Sequence, residues 1–254
     1  MILYTNNYSL LALAVLISAA CQQSTTEPSS NSALTISTNQ STTDLVNDFE
    51  SFPQESGRER LNSWYVIKLQ GKPAGWCHLT LFEYETAVGL RRVITNRQQL
   101  TLRRGKDQTQ LFSTDIELEN RQGSLLRFQH IEKQAGGDET RTIAGKLGSE
   151  MVTIRGPEIH RVPYERRSYG PSLPFRHLSF EKNGTLVPQI KFRSYLARTA
   201  GYVENLITQI KKIDGEEPII EFSHHLPNIP GLSAKVRTDQ WGHLFESTHL
   251  IGTW

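Results

Sequence analysis

The sequence predicts a mostly β protein: a single curved antiparallel sheet or open half-barrel meander with one short helix or loop insertion. Three observations carry this. From Ser63 onward apolar and polar residues alternate at period two, the mark of half-buried strands. Short clusters of Gly, Pro, Asn and Asp separate the alternating runs. No segment of helical period extends beyond about ten residues.

The first strand is expected over Ser63–Gln70, with a turn at Gly71-Lys72-Pro73-Ala74 and a return over Gly75–Tyr84. Paired as a hairpin, these strands set Tyr65, Ile67 and Leu69 against Leu81, Leu79 and Cys77 on one face. Trp64, Val66, Trp76, His78 and Phe82 take the other. Next, Leu90–Arg104 turns at Gly105-Lys106-Asp107 into Gln108–Leu118. Pairing Leu100 with Phe112 sets Ile94 beside Leu118 and Arg97 opposite Asp115, so apolar residues point in and charges out. A turn at Asn120–Gly123 leads to strands over Ser124–Lys133, Glu139–Lys146 and Glu150–Arg155.

Residues 156–184 break the rhythm with Pro157, Pro163, Pro171, Pro174 and Gly170. A crossing loop with one short helix near Pro174–Phe180 is expected there. Strands resume over Val187–Arg198, Tyr202–Ile213, Ile219–His225, Leu232–Thr238 and His243–Leu250.

Ahead of the β region the chain reads differently. Leu10–Ile17 is an unbroken apolar run, too short for a membrane span, which needs about 20 residues. It fits the apolar core of a secretion signal. Ser18, Ala19 and Ala20 follow, then Cys21, and ISAAC resembles a bacterial lipobox, although Ser18 stands where Leu is commonest and the leader has no Lys or Arg. The resemblance implies diacylglycerol on the Cys21 thiol. Gln22 to Thr43 is dominated by Gln, Ser, Thr and Asn and cannot bury enough apolar surface to order itself. Extended to residue 60, such a tether reaches on the order of 35 Å. Asp44–Phe52 can form a turn or two of helix with Leu45 and Phe49 on one side. The expected organisation is signal peptide over 1–20, lipid-anchor site and disordered polar tether over 21–60, and an antiparallel β domain over 61–254. The expected location is the cell envelope, on a membrane facing the periplasm or the outside.

The charge supports no nucleic-acid partner. The formal net charge is +2, and residues 22–62 hold six acids against two bases, leaving only mild basicity for the remainder. With Cys21 lipidated, Cys77 has no disulfide partner.

Candidate chemistry is sparse. Cys77 and His78 are adjacent on a strand, so their side chains diverge and Cys77 joins the core as an inert thiol. His224 and His225 diverge for the same reason, and about 20 Å of strand separates His243 from His249. Asp115, Glu117 and Glu119 form a period-two acidic stripe, read as an exposed face in ion pairs with Arg97 and its neighbours. Arg91, Arg92, Arg97, Arg103, Arg104 and Lys106, with Arg161, Arg166, Arg167 and Arg176, could gather into a patch for anionic lipid or an acidic polymer. No catalytic residues, metal ligands or cofactor motif are expected, and GxSxG, GxGxxG, P-loop and HExxH patterns are absent.

One resemblance bears on function. WYVIKLQGKPAGWCHLTL, with Trp64-Tyr65, Gly71, Gly75 and Trp76, resembles the opening of the N-terminal β domain of bacterial transglutaminase-like proteins. TDIELENRQGSLLRF (114–128), IPGL (229–232) and DQWGHLFES (239–247) extend the likeness. A weaker likeness is to half-barrel lipoprotein-carrier folds. No Cys follows residue 200, so the resemblance implies an accessory domain without the catalytic one.

Three functional expectations follow. The first is a non-catalytic lipoprotein used for binding or scaffolding, its partners a membrane and another envelope protein. The second is a carrier or sensor of an apolar small molecule, with Trp64, Trp76, Phe82 and Tyr84 facing the ligand. The third is an accessory subunit of a transglutaminase-like enzyme encoded elsewhere.

Overall fold

A computed structural model describes Val46, Phe49, Phe52 and residues 57–69, 72–104, 107–172, 174–196, 199–213, 215, 218–227, 232–240 and 242–251. The leader, Cys21 and most of the expected tether lie outside the described residues; the last residues of the expected tether, from Arg58, already belong to the first strand.

The architecture is antiparallel β and open, as expected, with its strands divided between two main sheets. The first has eight strands in sequence order. They are β1 (Arg58–Leu69), β2 (Lys72–Thr86), β3 (Gly89–Arg104), β4 (Asp107–Asn120), β5 (Leu125–Gln134), β6 (Glu139–Leu147), β7 (Glu150–Arg155) and β8 (Glu158–Pro163). The second has the order β16-β15-β14-β13-β12-β9. Its strands are β9 (Ser168–Tyr169), β12 (Gln189–Leu196), β13 (Gly201–Ile213), β14 (Ile219–His225), β15 (Leu232–Asp239) and β16 (Leu244–Ile251). A small ribbon, β10 (Glu181–Lys182) with β11 (Thr185–Leu186), stands between β9 and β12 in sequence.

The β1–β2 and β3–β4 hairpins are tighter than the turn clusters suggest. Leu69 pairs with Lys72 and Arg104 with Asp107, so each loop has two residues and the strands run longer. The hairpin β1–β2 keeps Tyr65, Ile67, Cys77, Leu79 and Leu81 together in the core, but in another register, with Tyr65 opposite Cys77 rather than Leu81 and Trp64 opposite His78.

Between β3 and β4 the register differs by one residue from the expected one. Leu100 pairs with Leu111 and Ile94 with Glu117, not with Phe112 and Leu118. Side chains alternate with period two, so this slip exchanges the faces of β4. Asp115, Glu117 and Glu119 therefore share the face of Ile94 and Leu81, and the exposed acidic stripe is overturned. The two-residue loop sets this register. Its outcome is tolerable because Ile116 and Leu118 are apolar as well, which gives β4 hydrophobic residues on the opposite face.

The inner face of the first sheet is the one that carries Leu79 and Ile94. Its apolar part joins Tyr65, Ile67, Cys77, Leu79, Leu81, Ile94 and Leu100. Fully burying an aliphatic chain such as Leu79 contributes about 1.5–3 kcal/mol. The outer face is covered over β6 and β7 by Phe49 and Val46, which pack on Ile143, Val152 and Ile154. Both residues are helical and fall within the expected helical stretch Asp44–Phe52; Val46 joins Phe49 on the packed side, while Leu45 lies outside the described residues. Gly145 is required beneath, because a Cβ there would occupy the Phe49 ring.

Residues 164–180 form a strap between the two sheets. Its single 3₁₀ turn, Pro174–His177, stands where a short helix was expected. Phe175 and Phe180 enter the core of the second sheet with Phe192, Ile207, Ile220 and Phe222. A third cluster, Leu125, Phe128, Ala144, Met151 and Tyr195, joins β5–β7 to β12. There the buried hydroxyls of Thr153 and Tyr195 hydrogen-bond across the sheets.

Substituting Tyr195→Phe leaves the Thr153 hydroxyl buried without its partner. Urea unfolding is expected to show a loss of about 1–3 kcal/mol; an unchanged midpoint refutes this tie between the sheets.

Candidate functional site

Two groups of side chains stand out, one on each face of the first sheet. On the inner face, Glu117 and Glu119 are fully buried and Asp115 nearly so. Glu117 Oε1 accepts the Ser172 backbone N–H at 2.8 Å, while Oε2 is buried with no hydrogen-bond partner. The Gly170 backbone lies so close that any Cβ there would overlap Glu117 Oε2. Burial, then repulsion from Glu119 and Asp115, holds the Glu117 carboxyl well above the usual carboxylate range, against the opposing bond from Ser172.

Glu119 is answered by charge. The guanidinium of Arg176 donates to Glu119 Oε2 at 2.8 Å, and His177 Nε2 lies 3.1 Å from the same oxygen. Both partners come from the strap, so one strand face and one 3₁₀ turn form a clasp. At its rim Glu83 binds Arg60 at 2.5 Å and Arg92 at 2.8 Å. Burial acts to raise the Glu83 pKa, but the bonds and charges of the two arginines outweigh it and hold the carboxyl below its ordinary value.

Further along the same face, His130 Nδ1 lies 2.6 Å from Asp115 and Nε2 3.3 Å from Glu132. Burial disfavours the imidazolium, but the two carboxylates outweigh it and raise the pKa to about 9. Held between two acids, His130 is a charged structural bridge rather than a proton-accepting base.

Cys77 is buried among these residues and its thiol donates to Asn96 Oδ1 at 3.0 Å, while His78 takes the outer face. The expected divergence of the pair holds. His224 likewise points inward, 2.9 Å from Asn205 Oδ1, and His225 lies on the other side near Thr208. Among the described residues no three His, Cys, Asp or Glu side chains converge as a metal site requires. The arginines named from the sequence do not form one patch. Arg92 and Arg176 point into the clasp, and Arg161 pairs with Glu150 on β7.

On the outer face the register brings Trp64 and Trp76 together. Trp64 is 63% exposed. Its ring stacks on His78 at 4.1 Å and 9°, and the Trp76 ring lies 5.2 Å away at 52°. Phe82 and Tyr84 share this face of β2 but are not part of the group. Phe82 stands four residues beyond His78, about 13 Å along the strand, and Gly57 packs onto the Tyr84 ring. The periodicity of the sequence placed all four on one face; it carried no signal that Gly57 reaches back over one end. The inner clasp escaped sequence reasoning because its carboxylates resemble a solvated stripe until their register is known.

No protein-family model matches the chain, and no curated protein matches its sequence. By structure it is similar to a β-barrel-like protein of domain of unknown function DUF1849 from Brucella abortus. The TM-score is 0.50 at 11% identity, covering 70% of this chain and 82% of that one. A DUF1089 family protein from Pseudomonas aeruginosa aligns with a TM-score of 0.42 at 11% identity, over 77% of this chain and 100% of that one. The first of these likenesses establishes a shared β-barrel-like fold.

Glu117 binds its proton more tightly in the folded than in the unfolded chain. Its stabilisation is therefore complete below the unfolded value near 4.5 and is lost as pH rises through the higher folded value. Glu117→Gln cannot ionise. Across urea titrations from acid to alkaline pH, wild type is expected to lose stability relative to E117Q as pH rises; a constant difference refutes a neutral Glu117. His130 adds the same sign, its contribution being lost as pH rises from about 6.5 through about 9. His130→Gln is expected to flatten that alkaline part.

Proposed function

We propose that this protein is an exported, membrane-tethered lipoprotein whose β domain binds or scaffolds and performs no chemistry of its own. The observation that carries the reading is the order of three segments: the apolar run Leu10–Ile17, the small residues leading to Cys21, and a long polar stretch before the first strand. A tether of that composition is useful when its far end is fixed. Among the described residues no helix is long and apolar enough to cross a membrane, so a lipid on Cys21 would supply the attachment.

The binding reading draws support from where the domain keeps its polar groups. The inner carboxylates are tied to the strap, and the accessible aromatic group is the outer one around Trp64 and Trp76. A carrier holding an apolar molecule against Trp64, Trp76, Phe82 and Tyr84 is less well supported, because Gly57 already packs on the Tyr84 ring and Phe82 stands about 13 Å along the strand from His78.

Expression of the full-length chain in a bacterial host with lipoprotein processing, followed by intact mass measurement, tests the anchor. The expected product begins at Cys21, carries diacylglycerol and partitions into detergent; Cys21→Ser is expected to remain aqueous. Wild-type protein with unmodified Cys21 would overturn the proposal.

A further inference from the structure

β1 is the terminal strand of the first sheet, and among the described residues no strand pairs with its second edge. A terminal strand presents a row of unpaired backbone N–H and C=O groups, and proteins normally blunt such an edge with charges, proline or a bulge. The opposite edge follows that rule, since β8 carries Glu158, Arg161 and Pro163. The middle of β1 does not. From Leu61 to Ile67 the strand holds no charge and no proline. Its ladder with β2 is unbroken there, and register shifts flank it on both sides, between Glu59 and Leu61 and between Ile67 and Lys68. Trp64 is the midpoint of this regular stretch.

Trp64 is 63% exposed although it stands in the regular part of a strand. Its ring contacts, His78 and Trp76, both belong to β2. On the side of β1 away from β2 no ring lies against it among the described residues. Its neighbours on the same face of β1, Asn62 and Val66, are uncharged. A large apolar ring therefore stands unpartnered at the one long stretch of sheet edge that carries no charge to repel another strand.

We propose that β1 is a self-association edge: a second copy of the chain adds its own β1 antiparallel to this one, about a twofold axis at Trp64. A contact of this kind uses the same patch on both copies and needs a self-complementary strand. Leu61–Ile67 meets that need. With Trp64 opposite the partner's Trp64, Leu61 meets the partner's Ile67, Asn62 the partner's Val66 and Ser63 the partner's Tyr65. Opposite residues share a face, so Leu61 and Ile67 carry the inner apolar cluster across the seam. On the outer face, directly opposite Cβ atoms stand about 4.5–5.5 Å apart, which brings the two indoles into contact. The row then runs His78, Trp64, the partner's Trp64 and the partner's His78. No charge opposes a like charge within the seam, which is the electrostatic condition for self-pairing. Arg60 lies beyond it, set off by the register shift and held by Glu83. One short strand a side is well under the roughly 20–30 residues a side of a stable interface, so the pair forms reversibly with concentration. The inference goes beyond the binding reading and does not depend on the lipid.

The full-length Cys21→Ser chain, which has no lipid to hold two copies in one micelle, is followed by sedimentation equilibrium. Its mean mass is expected to rise from monomer towards dimer between about 1 and about 500 µM, the range of a weak interface. Trp64→Lys sets two like charges against each other at the axis and is expected to weaken association by about tenfold or more, roughly 1.4 kcal/mol. Trp64→Tyr keeps a ring and is expected to retain most of the association. Pulsed electron resonance on a nitroxide at Glu59→Cys reads the register, since the buried Cys77 does not take the label. Glu59 lies five residues from the axis on each copy, so the labels are expected about 30–35 Å apart. A chain that stays monomeric throughout overturns the proposal, as when its own N-terminal segment or a foreign strand occupies this edge. So does a dimer that W64K leaves unchanged, or a label distance outside about 25–40 Å, which places the contact on another surface. The sample carries no lipid, so its outcome stands apart from that of the anchor.

Discussion

Buried carboxylates on β4 must be answered, and the path of the chain between the two sheets follows from that demand. Glu117 and Glu119 are fully enclosed on the inner face. An isolated ion there would cost several kcal/mol. The strap meets the two acids in different ways. Ser172 offers a backbone N–H to Glu117, whose burial holds its carboxyl well above the usual carboxylate range, and Arg176 offers a guanidinium to Glu119. The same strap turns Phe175 and Phe180 into the second sheet, so polar contacts on one side and apolar burial on the other fix a single route. Gly170 is the residue that permits this approach, since any larger side chain would enter the space of the Glu117 carboxyl.

The inner face thereby becomes a structural interior; on the outer face Val93, Thr95, Leu118, Gln129 and Ile143 are buried as well, while Trp64 is exposed. Its aromatic residues are divided by the chain's own cover. Gly57 reaches Tyr84 at one end, and Phe49 lies over β6 and β7. Trp64 remains exposed with its ring stacked on His78, and the half-buried Trp76 stands beside it, bonded to Gln99. A sheet that buries ionisable groups inside and exposes an ordered tryptophan outside distributes its residue types in reverse of the simplest pattern. Such local departures are where function or strain is expected to reside.

Much of the architecture was written in periodicity and turn chemistry. Strands β12 to β16 lie within a few residues of their expected spans, because each is bounded by turn-forming residues and alternates cleanly. The divergence of Cys77 from His78, and of His224 from His225, followed from strand geometry alone. The short helix near Pro174 was legible from its prolines and appears as a 3₁₀ turn. What the sequence did not convey was the register of β3 on β4. Val93 and Ile94 offer apolar residues at both parities of β3, so Leu118 of β4 can pair with either and two registers satisfy hydrophobic alternation about equally.

The sequence by itself determined that the domain is antiparallel β, where most strands lie, and which aromatic residues share a face. These depend on local alternation and on turns, which span few residues. Only the tertiary structure decided that Asp115, Glu117 and Glu119 point inward. It also decided which partners answer them and that the strands divide between two sheets. Those outcomes join residues more than fifty positions apart, such as Ser172 with Glu117 and Arg176 with Glu119. A one-residue change of register exchanges the faces of a strand without changing a letter of its sequence.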